Sequence, residues 1–379
     1  MKRRGYGRRG YLAFILGIIV GFLLFLLISA VYSLRPIISI LKPIQADTLE
    51  IIFLYTSEKQ SWIESVTPAF EKWVKDTIGL NVKVKLIVAG SHETVNLILH
   101  GSVKPTVWSP ASSIWIPYLN SKWRTLGYSY DLALNGTPLV YSPTVIAVWK
   151  SFAERYNITY LSDLYRIIEE GVEFKYGHPD PTLSNGGVAA LLMEVAAAAG
   201  KPITMLAVED LMNPSIQKKV SSLERFAVKY GKSTGFFGKW AAESGPQAIQ
   251  VFIVYENVVV DNSLAAKRKW NDPLIAVYPK DGVFLCDHPY VLLNAPWVSE
   301  EDKHIAELYL AFLLSDYSQI EAMKHGFRPS VEHIQIDTSI FNIDNGVKSI
   351  IDAPVYTTIP SSDLLEGLIV LWDKVRAGG

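Results

Sequence analysis

Four serines stand where a short apolar run gives way to a helix-forming pattern. They are Ser57 in Thr56-Ser57-Glu58, Ser91 in Gly90-Ser91-His92-Glu93, and Ser109 and Ser112 in Ser109-Pro110-Ala111-Ser112. The chemistry such residues do is non-covalent. Free backbone N–H groups and the positive dipole end of a helix start favour an anion or a polar oxygen, and a hydroxyl adds a donor and an acceptor. Further along, Leu183-Ser184-Asn185-Gly186-Gly187 opens an Ala-rich helical run, and Tyr255-Glu256 closes an apolar strand-like run. The candidate ligand-binding residues are therefore Ser57, Glu58, Ser91, Ser109, Ser112, Ser184, Asn185, Tyr255 and Glu256. Helix capping, worth about 1 kcal/mol, explains any one of the serines. It does not require several of them to share one rim.

Covalent chemistry finds little support. Gly231-Lys232-Ser233-Thr234 falls short of a phosphate loop, because the residue five before Gly231 is Phe226 and no strand is read ahead of it. Cys286-Asp287-His288 places a thiol near an imidazole in sequence, whereas a nucleophile and its base must be adjacent in space, so Cys286 is read as a buried, inert thiol. His92, Glu93, His178, Asp180, Glu256, Asp287 and His288 lack the close spacing of a zinc site, and no Ser stands in a Gly-x-Ser-x-Gly turn. The expectation is a protein that is not an enzyme and has no cofactor and no metal.

The elements that must position these serines repeat. Residues 49–55 form an apolar run of strand length, followed by Trp62, Val66, Phe70 and Trp73 at helical spacing, with Ser57 and Gln60 spelling a capping box. Val82, Val84, Leu86 and Val88 alternate as a second strand, and Ser91 can cap the helix carrying Val95, Ile98 and Leu99. Residues 106–108 give a third strand, with Ser109 as N-cap and Pro110 at the first helical position. Three strand–turn–helix units in succession predict an α/β fold with a parallel sheet, whose ligand site lies beyond the carboxyl ends of the strands. From residue 139 to 149 a long strand, interrupted at Pro143, reads as a hinge into a second lobe. That lobe carries helices near 162–170, 184–199, 205–230 and 245–251 and a strand at 252–260; residues 274–278 return to the first lobe. The expected division is 49–140 with 275–379 as lobe I, and 141–274 as lobe II. Residues 299–325 supply two further helices, with Ser299 and Asp302 as a cap.

Upstream, Lys2, Arg3, Arg4, Arg8 and Arg9 precede an uncharged apolar stretch at 11–34. Such a stretch is long enough to cross a hydrocarbon core of roughly 30 Å, and the basic tail (1–10) marks its cytoplasmic end. A stalk with Pro36 and Pro43 occupies 35–46, leaving the remaining domain outside the cell and attached to the membrane. Removing the five basic tail residues from 36 Lys and Arg leaves 31 against 37 Asp and Glu, so the outer part is mildly acidic and no nucleic-acid partner is expected. One Cys excludes an intramolecular disulfide, and two sequons, at Asn135 and Asn157, fit an external location.

Several runs carry a resemblance. Tyr55-Thr56-Ser57-Glu58-Lys59, Trp108-Ser109-Pro110-Ala111-Ser112, Ser142-Pro143-Thr144-Val145-Ile146-Ala147, His178-Pro179-Asp180-Pro181, Ser184-Asn185, Tyr255-Glu256-Asn257, Tyr278-Pro279-Lys280-Asp281-Gly282, Asp287-His288-Pro289-Tyr290 and Ala295-Pro296-Trp297 resemble extracellular solute-binding proteins of ABC transporters. These have the type II periplasmic-binding-protein fold, and the likeness is nearest to binding domains that elsewhere precede a von Willebrand factor A domain. It covers about residues 49–330. The resemblance implies two α/β lobes joined by two crossing strands, a small polar or anionic solute held in the cleft, and hinge closure sensed by an ABC permease. By position, Ser57, Ser91, Ser109 and Ser112 would line one face, and Ser184, Asn185, Tyr255 and Glu256 the other. The rival readings are an anchored non-transport receptor or scaffold, and an anchored hydrolase.

Overall fold

Residues Leu49–Tyr55 form strand β1, with Ile51, Phe53, Leu54 and Tyr55 buried, as the apolar run predicts for a strand covered on both faces. The computed structural model describes residues 48–359 and 361–377. The basic tail, the apolar stretch and the stalk lie outside these. Among the described residues no helix is long and apolar enough to cross a membrane.

β1 lies between β2 (Val82–Val88) and β3 (Val107–Ser109) and is parallel to both. A 3₁₀ turn, Ser57–Lys59, joins β1 to helix α1 (Gln60–Ile78), which buries Trp62, Val66, Phe70 and Val74 and stops at Gly79 in the left-handed conformation (φ 81°). Helix α2 (Ser91–Leu99) follows β2, and α3 (Trp115–Thr125) follows β3. The predicted start of α3 at Ser109 is displaced. Residues 110–114 are turned instead, because Ala111 N donates to Ser91 Oγ (3.0 Å), Ser113 N donates to Asp287 Oδ1 (2.8 Å) and His288 N donates to Ala111 O (3.1 Å). These bonds leave the turn rather than closing a helix.

β4 (Thr137–Pro138) and β5 (Val140–Trp149) come next. β5 runs through Pro143 without interruption. The proline falls where the partner changes, from β10 (Val283–Cys286), which pairs Ser142 and Pro143, to β8 (Val251–Tyr255), which pairs Thr144–Val148. The second lobe also holds α4 (Lys150–Tyr156), α5 (Ser162–Glu169), β6 (Tyr176–Pro179) and α6 (Asn185–Ala199). The helix expected over 205–230 is broken into α7 (Val208–Met212), α8 (Pro214–Glu224) and strand β7 (Ala227–Gly231), which pairs β6. Pro214 sits at the first turn of α8, where its missing N–H costs nothing, and Asn213 caps that helix.

A strand does therefore precede Gly231, contrary to expectation, and α9 (Thr234–Ser244) follows it. The helix predicted at 245–251 is a turn entered through Gly245 (φ 85°), and the strand predicted at 252–260 ends at Tyr255. Helix α10 (Glu256–Trp270) takes over, burying Val258 and Val259: packing overrides the strand preference of the Val258-Val259-Val260 run. β9 (Leu274–Val277) pairs Ile146–Trp149 of β5 and so stays in the second lobe's sheet. β11 (Pro289–Leu292) then joins the first sheet, whose order is β2-β1-β3-β11-β4.

Helices α11 (Glu300–Leu313) and α12 (Asp316–Lys324) follow, and the first has the predicted Ser299/Asp302 capping box. β12 (Arg328–Pro329) pairs β5, and β13 (Val355–Tyr356) pairs β10. The last helix, α13 (Ser362–Ala377), packs on α6, α7 and α8, so the C-terminal residues expected with lobe I rest on the second lobe. The mixed α/β architecture is thus two-lobed, one sheet centred on β1 and the other on β5. From Leu49 onward the chain forms one contact unit, with the lobes pressed together.

Candidate functional site

The ends of β1 and β3 and the starts of α2, α6 and α9 meet at the seam between the lobes. Ser57 does not cap its own helix. Its Oγ donates to Ser233 Oγ (2.7 Å) and accepts from Gly235 N (3.2 Å), tying the first lobe to the start of α9. Ser184 does cap α6, accepting from Gly186 N (3.3 Å), and its Oγ lies 3.1 Å from Thr234 Oγ1. Asn185 is a crossing point: Trp115 Nε1 donates to its Oδ1 (2.8 Å), while its Nδ2 donates to Tyr255 OH (2.7 Å) and lies 3.3 Å from Cys286 Sγ. Ser91 fixes the turn after β3 through Ala111 N, and Ser112 accepts a long bond from Ile114 N (3.4 Å). Ser109 Oγ is fully buried and, among the described residues, has no hydrogen-bond partner.

Glu256 departs from expectation. Its carboxylate receives Arg328 Nε and Nη2, each at 2.7 Å, and Tyr278 OH, so a solute could reach it only by displacing a buried arginine. It is a structural carboxylate, not part of the rim.

Sequence reasoning missed several participants. Lys59 is fully buried and donates to Thr56 Oγ1 (2.5 Å) and Pro110 O (3.3 Å), with Glu58 Oε1 at 3.4 Å and His288 Nδ1 at 3.3 Å. Thr56 Oγ1 donates to Glu58. Asn257 Nδ2 donates to Glu58 O (3.2 Å) and its Oδ1 accepts from Ser142 Oγ (3.0 Å), binding α10 to β5 and to the turn after β1. Ser233 and Thr234 were visible only as a failed phosphate loop. The usable signal was a further hydroxyl pair at a helix start, like the others. His288 has a left-handed backbone (φ 40°) and an Nε2 that has no hydrogen-bond partner among the described residues, and nothing local in the sequence announces either.

Burial opposes ionisation of Glu58, but Lys59, His288 and Thr56 outweigh it and hold the carboxyl at about 2. Burial and then Lys59 push the His288 imidazole down to about 4 against the pull of Glu58, so it is neutral at pH 7. The Glu58–Lys59 pair cancels internally, and the seam bears no net charge from it. Both depressed groups bind protons more readily in the unfolded chain, so both lose stability on acidification. His288 acts as pH falls from 6.5 towards 4, and Glu58 from 4.5 towards 2. Each depression is worth on the order of 3 kcal/mol at the low-pH end of its window, and because Lys59 enters both balances the two losses are not simply additive. His288→Asn, which tolerates the left-handed backbone, should remove the upper part of this acid limb in urea titrations run from pH 7 to 3. Parallel parent and variant profiles between pH 6.5 and 4 would refute the assignment.

Two glycines set how closely the lobes approach. A Cβ on Gly90 would stand 2.3 Å from Leu183 O, and one on Gly235 would stand 2.9 Å from the Ser57 carbonyl. At the seam's edge a groove of about 510 Å³ opens between the turn after β1 and helices α9 and α10, lined by Ser57, Glu58, Glu64, Phe236, Lys239 and Asp261 among others.

The profile of a family described as bacterial extracellular solute-binding proteins matches residues 52–328. Among curated proteins none matches the chain in sequence. Solved structures with similar folds include a periplasmic thiamin binding protein at 14% identity and TM-score 0.62, covering 87% of this chain and 96% of that one. A putative spermidine/putrescine ABC transporter protein from Listeria monocytogenes gives 13% and 0.61, with coverage of 88% and 100%. The sulfate-binding protein SubI from Mycobacterium tuberculosis H37Rv gives 18% and 0.56, with 87% and 99%. At such identities the likeness extends to the fold alone.

Proposed function

Because this chain belongs to the family of bacterial extracellular solute-binding proteins, we propose that it captures a small polar or anionic solute between its lobes and delivers it to an ABC permease, held at the membrane by residues 11–34. The observation that carries this reading is the meeting of hydroxyl-bearing turns from both lobes. Ser57, Ser91, Ser109 and Ser112 on one side and Ser184, Asn185 and Tyr255 on the other are all buried at the seam. Helix-start N–H groups and hydroxyls hold an oxygen-rich solute without a countercharge, and the cancelled Glu58–Lys59 pair adds no bias against an anion. The bonds Ser57–Ser233, Ser57–Gly235 and Trp115–Asn185 are among those that opening must break and closure remake. We place the two crossings at β5 and at β10, the strands that link the first sheet to the second, rather than at 274–278. The reading is of a binding protein and not an enzyme: burial raises the Cys286 thiol well above its usual range and so keeps it protonated, unsuited to attack.

A thermal-shift panel of oxyanions, sugars, amino acids, amines, thiamin and divalent metals on the chain from residue 47 tests the proposal. A solute at 100 times its dissociation constant should add about 2.7 kcal/mol of stability. No response to any member would favour a receptor or scaffold that works without a small molecule.

A further inference from the structure

A second polar cluster lies in the core of the second lobe, away from the seam. His178 comes from β6, Glu194 from the middle of α6 and Glu224 from the end of α8; all three are buried, and one donor atom from each falls within 4.8 Å of the others. The surrounding hydroxyls orient the carboxylates. Tyr176 OH donates to Glu194 Oε1 (2.6 Å) and Tyr230 OH donates to Glu224 Oε2 (2.6 Å). His178 Nδ1 lies 2.6 Å from Pro179 O, the contact that fixes the proton on that nitrogen and turns Nε2 towards the carboxylates. Nε2 is 2.8 Å from Glu224 Oε1, and these two electron-rich atoms must share a proton or a cation. Among the described residues Glu194 Oε2 is buried without a hydrogen-bond partner. A carboxylate oxygen left so in a buried core costs free energy unless something occupies its lone pairs.

We propose that His178, Glu194 and Glu224 form a structural site for one divalent transition cation of the zinc or manganese class, separate from the solute cleft. Two carboxylates balance a dication, so the filled site is neutral in the buried core of the lobe. One imidazole with carboxylate oxygens suits zinc or manganese better than calcium, which takes oxygen alone. Tyr165, whose OH donates to Glu194 O (3.0 Å), and Asp180 complete the polar surroundings, with Asp281 and Arg376 farther out. The C-terminal helix closes the site from outside, its Trp372 packing edge-on against Tyr230 at 5.1 Å. With its three ligands buried, the ion would enter as the lobe folds and exchange slowly, so it is held rather than transported. The separation of His178 and Glu224 by 46 residues hides the site from sequence spacing.

The full chain is refolded with Zn²⁺ or Mn²⁺, dialysed against metal-free buffer and assayed by inductively coupled plasma mass spectrometry. The parent should retain about one equivalent and melt about 3 °C or more above protein refolded with chelator. Glu194→Gln keeps the hydrogen bond from Tyr176 but lacks the anionic oxygen; it should fold, judged by circular dichroism, and lose both the metal and the shift. If that variant does not fold, Glu224→Gln carries the same comparison. A parent that retains no metal and melts identically with and without it overturns the proposal and leaves a proton-sharing core. Equal metal retention by the parent and a folded variant also overturns it, by placing the ion elsewhere.

Discussion

Gly90→Ala combined with Gly235→Ala should hold the lobes apart and weaken solute binding by about 100-fold or more. Neither change damages a lobe by itself: Gly90 is in an ordinary extended conformation (φ −72°), and Gly235 lies within a helix, where Ala is the better residue. The obstruction appears only on closure. A methyl group at residue 90 would overlap Leu183 O, and one at residue 235 would press on the Ser57 carbonyl and Glu58 N. These are backbone atoms, which cannot rotate away as a flexible side chain would. A solute held by both lobes binds in proportion to the population that can close, so pushing the equilibrium to the open form lowers apparent affinity directly. Small-angle scattering should show a larger radius of gyration for the double variant, and titration with whichever solute stabilises the parent should show the lost affinity. Unchanged scattering together with unchanged affinity would mean that the seam is not a moving interface.

Arg328→Leu should destabilise the protein by about 3–5 kcal/mol, the range for breaking a buried ion pair from one side. Arg328 donates two 2.7 Å bonds to Glu256 and two more, to Lys348 O (2.7 Å) and Ser349 O (2.8 Å), so one side chain joins β12, the start of α10 and the loop that follows. Its removal leaves the Glu256 carboxylate buried with Tyr278 OH as its remaining side-chain partner and two carbonyls without their donor. The effect should reach the cleft, because Asn257 follows Glu256 directly and ties Ser142 to the turn bearing Glu58. Urea denaturation of parent, Arg328→Leu and the double variant Arg328→Leu/Glu256→Leu would measure it. The double variant should recover much of the loss, since it leaves no charge unpaired. A single-variant cost below about 1 kcal/mol would show that the pair is not the anchor described.

Period-two and helical apolar patterns in this sequence were enough to read β1, α1, β2 and α11 and the α/β class, because each element's own burial pattern is local. The serine turns were also legible, together with the end of the sheet they would occupy. Their hydrogen bonds were not. Ser57 and Gln60 spell a capping box, yet Ser57 Oγ bonds Ser233, 176 residues away. Ser109 looks like an N-cap beside Pro110, yet the turn is held by Ala111, Ser113 and His288 bonding outward. Glu256 reads as a rim carboxylate until Arg328, 72 residues later, takes it. Strand and helix formation is decided within a few residues and so is written in the order of side chains. The partner a buried polar group finds depends on which distant segment packing brings within 3 Å, and only the tertiary structure decides that.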